Sequence, residues 1–490
     1  MDVPIEWGGN RMPSNTNDNP DSPDGPENPD RNPDGNPDRN PDGNPGRTER
    51  PHHADDAGRP DGERTVSEIH VAELDLEGPD GAVLSFGPAL GGPPVPAGDV
   101  FALVRLRGRP VATVVCRVRP GENPGDAVAV AARAGLAARP PARSAAPAQR
   151  VAPPRTSVIV ATRERADQLA RALDSLLAQD HPDFGIVVVD NAPVTSATRD
   201  LIEHKYADSV RYVREPVPGL AAAHNRGIAA ADGLVLAFTD DDVVADPHWL
   251  TALAMPFAHD PGLGCTTGLI LPARLRTRAQ ILLESHGGFA KGFTARTWDP
   301  ARPPAGEPLF PFTAGSFGSG ANMAFRARAL RDIGGFDPAT GTGTPARGGD
   351  DLYAFVGILA AGHRLRYSPE ALVWHHHRES WQDLENQAYG YGAGLTAYLA
   401  ATLARRPALL PALLRKLPRG LAHARSISAP RTGDGGDGWN VGVPGRHGTQ
   451  AHAWPPSLSR LQRRGMLAGP LGYVKARRKV RGLPRPWEEK

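Results

Sequence analysis

The stretch LVLAFTDDDVVADPHW, Leu234–Trp249, decides how this chain folds. An apolar run, Leu234–Phe238, stops abruptly before three consecutive carboxylates, Asp240, Asp241 and Asp242. A short run of this kind predicts a buried strand of a parallel sheet. Asp is depleted within strands, so the triplet is expected in a loop just past the strand's C-terminal end. In open α/β sheets that end is where ligands bind. Clustered carboxylates repel one another unless a cation intervenes, and their hard oxygens suit Mg2+ or Mn2+. Mg2+ is typically shared between one or two carboxylates and a substrate's phosphates, so the stretch points to a metal–diphosphate site. The same residues also fit a solvated acidic turn before a helix, with Asp246 as N-cap and Pro247 as first helical residue.

Outward from this stretch, strands alternate with helices. Ser157–Ala161 reads as a strand, and Arg165–Gln179 as an amphipathic helix with Leu169, Leu173, Leu176 and Leu177 on one face. Gly185–Val189 is a second strand that runs into Asp190-Asn191. Helical Thr198–Tyr206, strand Val210–Val213 and helix Gly219–Ala231 lead to the acidic stretch. A helix from Pro247 and a strand near Gly264–Leu271 follow it. This spacing predicts βαβ units and a parallel sheet. The first strand is followed by Thr162-Arg163-Glu164 rather than GxGxxG, which argues against a dinucleotide-binding Rossmann domain. A GxxxxGK[ST] phosphate loop is absent as well.

The ends of the chain differ from its middle. Residues 1–65 are an Asn/Pro/Asp/Gly-rich repeat with net charge −8, too poor in apolar side chains to fold, and are expected to be disordered. Residues 66–138 form a small β-rich domain of unassigned role, with a hairpin at Arg107-Gly108-Arg109. A Pro/Ala linker spans 139–155. Residues 381–425 read as a helical segment suited to a membrane interface, to a flap over the acceptor site or to core packing, and Pro407, Pro411 and Pro418 would interrupt any long helix there. Residues 426–490 read as a Gly-rich and basic tail, and residues 401–490 together carry a net +14. Such a tail suits an anionic surface such as a membrane or polyphosphate, or simply solvent. Two cysteines, Cys116 and Cys265, exclude a disulfide framework or a zinc cluster and fit a reducing compartment. The first residues lack a basic region followed by an apolar core, so no signal peptide is expected.

Six motifs in order between about 155 and 380 resemble family 2 glycosyltransferases of the GT-A fold. They are SVIVATRERADQLARALDSLLAQ, IVVVDNAP, GLAAAHNRGIAAADG, FTDDD, GSGANMAFRARALRDIGGFD and GGDDLYAFVGILAAGHRLRYSPEALVWH. The resemblance implies an α/β, GT-A type, Rossmann-like nucleotide-diphospho-sugar transferase domain over 156–380. Its expected activity is inverting transfer of a sugar from a nucleotide-diphosphate sugar to an acceptor hydroxyl.

Residue by residue, the resemblance places Asp240 and Asp242 as the DxD carboxylates that bind Mg2+ or Mn2+, with His375 as a further metal ligand. Thr162, Arg163, Asp190, Asn225, Asp241, Gly320 and Asn322, with Asp240, would contact the nucleotide sugar. Asp351 would be the general base and Asp350 would orient it or the acceptor. The family usually has Glu-Asp where this chain has Asp350-Asp351, a departure that keeps the second member. Gly334-Gly335-Phe336-Asp337 would be a structural turn. His224 and the arginines Arg214 and Arg226 could meet the diphosphate or the domain's own carboxylates. The expected acceptor is a cell-envelope glycan, a lipid-linked sugar or a small secondary metabolite. Nucleic acid is not an expected partner. The expected location is cytoplasmic, with peripheral contact at the inner face of the membrane through the basic C-terminus. A sugar nucleotidyltransferase shares the sheet and the metal carboxylates, but TRERADQ lacks the glycine-rich loop it needs. A catalytically inactive glycan- or partner-binding module is the remaining rival.

Overall fold

The computed structural model describes residues 66–137, 151–286, 288–416, 418 and 454–482. The repeat at 1–65 and most of the linker lie outside them. The small N-terminal unit is a four-stranded sheet of order β2-β1-β3-β4. Its strands are β1 (Ile69–Leu76), β2 (Val83–Pro88), β3 (Gly98–Leu106) and β4 (Arg109–Val118), followed by helix α1 (Pro124–Ala137). Arg107 at φ 50° and Gly108 at φ 79° make the β3–β4 turn left-handed at both positions, the backbone that a two-residue hairpin prefers. Strand β2 escapes sequence reading because Val83 and Leu84 are both exposed, so it shows no alternation. Helix α1 covers one face of the sheet with Val128, Ala129 and Ala132. On the other face Ile69, Phe101 and Leu103 pack against Leu269, Leu271, Leu372 and Trp374 of the larger domain.

The larger domain is built on a 9-stranded sheet of order β11-β13-β10-β12-β8-β5-β6-β7. Its strands are β5 (Thr156–Thr162), β6 (Phe184–Asn191), β7 (Val210–Glu215), β8 (Val235–Asp240), β9 (Val243–Ala245), β10 (Leu263–Pro272), β11 (Arg296–Trp298), β12 (Asn322–Arg326) and β13 (Arg364–His375). Strand β9 lies off this path, paired with β13. The β-branched runs at 158–160 and 186–189 are buried, as strands covered on both faces require. Each such Val or Ile removes enough apolar surface from water to contribute about 1.5–3 kcal/mol. The parallel pairs are β5–β6, β6–β7, β5–β8 and β10–β13. Strand β12 lies antiparallel between β8 and β10, so the sheet is mixed rather than wholly parallel.

The helices between strands are α2 (Ala166–Leu177), α3 (Ala197–Leu201), α4 (Leu220–Ala230), α5 (Trp249–His259), α6 (Arg278–Ser285), α7 (Ala327–Asp332) and α8 (Asp350–Ala360). In α2 Leu169, Leu173 and Leu176 are buried, but Leu177 is exposed. Helix α5 begins at Trp249, after a first turn in which Asp246 Oδ1 accepts from the His248 amide at 3.1 Å and the Asp246 carbonyl from the Trp249 amide at 2.9 Å. The other Asp246 carboxylate oxygen meets Arg105 of the small unit at 2.6 Å.

Two long helices follow, α9 (Trp381–Arg405) and α10 (Pro456–Lys479). The second shows that 456–479, within the segment read as a Gly-rich and basic tail, is helical. Glycine makes their contact possible: a Cβ on Gly392 would lie 1.8 Å from the Gln462 carbonyl, and one on Gly465 2.1 Å from that of Tyr389. The glycines that interrupt the apolar run at 388–404 are therefore its packing surface. Their small size hides the periodicity on which helix pairing is usually recognised.

Candidate active site

Sheet register gathers the acidic residues. Thr162 pairs with Asp190 across β5 and β6, and Ala161 pairs with Asp240 across β5 and β8. The C-terminal ends of β5, β6 and β8 therefore share one edge. Strand β13 runs the same way and ends there at His375. Asn322, the first residue of the antiparallel β12, stands opposite Thr239, which brings the preceding Gly320-Ala321 to the same edge. The amide of Gly320 donates to Asp351 Oδ2 at 2.9 Å. Two acidic groups more than a hundred positions apart thus meet across one strand end.

The first group is Asp240, Asp242 and His375, whose donor atoms lie within 4.8 Å of one another. Asp240 is the last residue of β8 rather than part of the loop beyond it. The backbone then turns through Asp241 and Asp242 into β9, which pairs antiparallel with the end of β13, Val243 opposite His375. His375 Nε2 is 3.2 Å from Asp242 Oδ1, yet that buried oxygen accepts no aligned hydrogen bond. Two lone-pair atoms so placed, without donor geometry, fit ligands to one ion. Hard carboxylates with one imidazole suit Mn2+ or Mg2+. Burial, then the Asp242 charge, pushes the Asp240 carboxyl up to about 6. Burial would also raise Asp242, but His375, Arg378 and Arg165 outweigh it and hold that carboxyl well below its ordinary range.

A chain of hydrogen bonds stands behind His375. Its Nδ1 is 3.1 Å from His377 Nδ1, and His377 Nε2 is 3.0 Å from Glu284 Oε2. Both His377 and Glu284 are buried. A carboxylate can only accept, so His377 Nε2 carries a proton. With His377 neutral, its Nδ1 accepts from His375 Nδ1. That leaves a lone pair on Nε2 of a neutral His375, facing the aspartates; without an ion, burial is outweighed by the Asp242 charge, which raises the His375 pKa and favours its protonated form. Outer partners of this kind fix the tautomer and orientation of ligating histidines.

The second group opens α8. Gly349, the N-cap, has φ 87°, and a Cβ there would lie 2.5 Å from the Gly394 carbonyl, so glycine is required. Asp350 is buried, with Oδ2 3.4 Å from His224 Nδ1 and no aligned bond between them. Asp351 accepts from the amides of Gly320 and Leu352 at 2.9 and 2.8 Å. Burial first, then the neighbouring Asp350, overrides these donors and pushes Asp351 up to about 7, with a smaller push from Asp240. That Asp351 responds to Asp240 is a second sign that the groups share a site.

The sequence of this domain matches known proteins. Residues 157–334 match the model of glycosyl transferase family 2. This segment is a family 2 glycosyltransferase domain. A pre-mycofactocin glycosyltransferase of Mycobacterium tuberculosis is 30% identical over 246 residues, covering 50% of this chain and 47% of that protein. A validoxylamine A glucosyltransferase of Streptomyces hygroscopicus subsp. limoneus is 34% identical over 175 residues, covering 34% and 35%. The chain therefore spans about half the length, or less, of these curated relatives. A solved mannosyltransferase from Pyrobaculum calidifontis, in complex with GDP-Man and Mn2+, aligns at 18% identity over 73% of this chain and 83% of that one, with TM-score 0.37.

Several residues expected to contact nucleotide in the family 2 domain have hydrogen-bond partners within the fold. Asn225 is buried and exchanges hydrogen bonds with the Phe336 backbone, donating to its carbonyl and accepting from its amide. It ties α4 to the Gly334-Gly335 turn, whose glycines have φ 87° and 66°. Asn322 is also buried; its amide donates to the Leu269 and Ala371 carbonyls and its oxygen accepts from Trp249 Nε1. Both asparagines satisfy backbone groups away from the cleft, a role that no sequence spacing reveals. Thr162 donates to Asp241 Oδ2 at 2.7 Å, so it positions Asp241. The arginine that meets this cluster is Arg165, 3.0 Å from Asp241 and 3.4 Å from Asp242, while Arg163 is exposed. Arg378, 3.3 Å from Asp242, was not anticipated either. The only sequence signal for these two arginines was their position just after the ends of β5 and β13. Asp190 is buried, accepts from the Tyr212 hydroxyl at 2.9 Å, and leaves Oδ1 without a partner. That free acceptor stands one strand away from the acidic edge.

Proposed function

We propose that the domain is an inverting glycosyltransferase that uses a nucleotide-diphosphate sugar and a divalent cation. The observation that carries this reading is the Gly320–Asp351 hydrogen bond at the strand edge that also ends in Asp240. It sets a basic carboxylate opposite a metal-type donor set. Asp240, Asp242 and His375 would hold Mg2+ or Mn2+, which when bound supplies Lewis-acid stabilisation of the leaving diphosphate. Arg165 and Arg378 favour the ionised form of Asp242, and Arg165 also holds Asp241. The Glu284–His377 chain keeps a lone pair on His375 Nε2 directed at the same point. The unpartnered oxygen of Asp190 would accept from the base or ribose.

In the transfer itself, Asp351 Oδ takes the proton of the acceptor hydroxyl as that oxygen bonds to the anomeric carbon. The bond from that carbon to the nucleoside diphosphate breaks at the same time. Attack opposite the leaving group in a single displacement inverts the anomeric centre. Asp350 and His224, buried behind Asp351, position it at the helix terminus. The acceptor is an alcohol of a cell-envelope glycan, lipid-linked sugar or secondary metabolite. The names of the relatives, a pre-mycofactocin and a validoxylamine A transferase, favour a small-molecule acceptor.

A panel of UDP-, dTDP- and GDP-sugars, assayed with and without Mn2+ for binding and slow hydrolysis, tests the proposal. Metal-dependent binding of at least one donor is expected, with turnover abolished in Asp351→Asn. No metal-dependent binding across the panel, or full turnover by Asp351→Asn, would overturn it.

A further inference from the structure

Helix α10 has two faces of opposite character. Its inward face is made of small residues: Gly465 and Gly469 press against the backbone of α9, and Gly472 against the Pro345 carbonyl. Tyr473 completes that face and donates to Asp337 Oδ2 at 3.0 Å. The helix is therefore fully anchored without its outward side chains. That outward side carries Leu467, Leu471 and Val474, exposed to 85%, 58% and 43%. Their spacing of four and three puts them on one stripe along the middle of the helix. Arg460, Arg463 and Arg464 are exposed before this stripe, and Lys475, Arg477, Arg478 and Lys479 after it. The segment Trp454–Gly482 contains no Asp or Glu. Among the described residues, none of these cations takes part in an ion pair.

An apolar stripe bounded at both ends by unpaired cations matches one kind of partner. A nucleic acid would satisfy the charges but leave three aliphatic side chains in solvent, and a protein groove would need an apolar floor with acidic walls at both ends. We infer that α10 lies in the surface of an anionic membrane, with Leu467, Leu471 and Val474 among the acyl chains and its arginines and lysines on lipid phosphates. Amphipathic helices with cationic borders bind membranes in this way, by combining apolar burial with attraction to acidic lipid. No described helix is long and apolar enough to cross a membrane, so the contact is interfacial. The inference goes beyond the proposed transfer reaction and does not depend on it. It has a consequence for that reaction, because α10 packs through Gly472 on the loop that leads into Asp350 and Asp351. Docking would hold that end of the cleft close to the bilayer.

Sedimentation of the full chain with vesicles of phosphatidylcholine, with and without phosphatidylglycerol, tests this. Binding is expected only when phosphatidylglycerol is present, and it should weaken as salt is raised. The Leu467→Ser/Leu471→Ser variant should bind at least about tenfold more weakly, and so should Arg463→Gln/Arg464→Gln. All four side chains are exposed, so thermal unfolding and nucleotide binding of both variants should match the parent. Failure to sediment with anionic vesicles overturns the inference. So does binding undiminished in the leucine variant, which would mean charge alone, or equal retention on duplex DNA, which would mean a general polyanion site.

Discussion

Asp351 combines two backbone donors with a carboxyl pushed up to about 7. Only its ionised form can take a proton, so transfer should rise with pH through about 7 and level off above it. A rate that is flat from pH 5 to about 9 would remove Asp351 as the base. The same shift has a stability consequence. The folded carboxyl holds its proton above the ordinary value of 3.8, so ionising it costs the fold stability. Between about pH 4 and 7 the folded state binds more protons than the unfolded state, and stability falls as pH rises. Asp351→Asn should therefore unfold at a higher temperature than the parent at pH 8, with the difference vanishing near pH 4. Loss of transfer should be about 100-fold or more. Glu284 is a different case, since it touches His377 and not the ion site itself. Glu284→Gln should weaken Mn2+ binding, followed by titration calorimetry, about 10- to 100-fold. Unchanged affinity would show that the chain behind His375 does not direct it. At this scale the sequence pointed to Asp240 and Asp242, because carboxylates crowded at the end of an apolar strand repel one another unless they share a cation. The motifs around Asp351 and His375 singled out those two. The sequence did not reveal the hydrogen bonds by which Asn225 and Asn322 tie together segments far apart in the chain. It was silent on Glu284, which lies in a helix with no polar motif around it.

Elements with strong periodicity were legible and those without it were not. The runs that became β5, β6, β8 and β10 are apolar and short, and α2 has a clear leucine face. Strand β12 runs antiparallel because it enters the sheet from the Gly320 loop, and nothing in NMAFR records direction. Helix α10 was missed because glycines make up much of its buried face while Leu467 and Leu471 face outward, which breaks the usual periodicity. The contact between α9 and α10 allows a sharp test. Gly465→Leu forces a side chain where a Cβ already lies 2.1 Å from a carbonyl. The helices must part, which should cost about 2–3 kcal/mol and lower the melting temperature. Limited proteolysis should then cut within 456–479, and an unchanged melting curve would show that the contact is not formed.

Over the whole molecule, the small unit and the transferase domain share a core as well as ion pairs. Arg105 spans the boundary, 2.8 Å from Glu73 and 2.6 Å from Asp246, with side-chain exposures of 12%, 29% and 8%. Removing one partner leaves a buried charge unpaired, so Arg105→Ala should cost about 3 kcal/mol, read from denaturant unfolding. Amide exchange should speed up across β1–β4 before it does in the large sheet. The sequence did not show that residues 66–137 pack against the larger sheet, because Arg105 and Asp246 are both ordinary in their local settings. Asp246 sits just past β9 and therefore links the docking surface to the strand end that carries the acidic cluster.

The most direct test of the shared cleft is a crystal structure with Mn2+ and a nucleoside diphosphate, located by the anomalous signal of the metal. One manganese is expected between Asp240, Asp242 and His375, with the diphosphate between it and Asp351. Manganese bound elsewhere, or a nucleotide seated away from both acidic groups, would contradict the account.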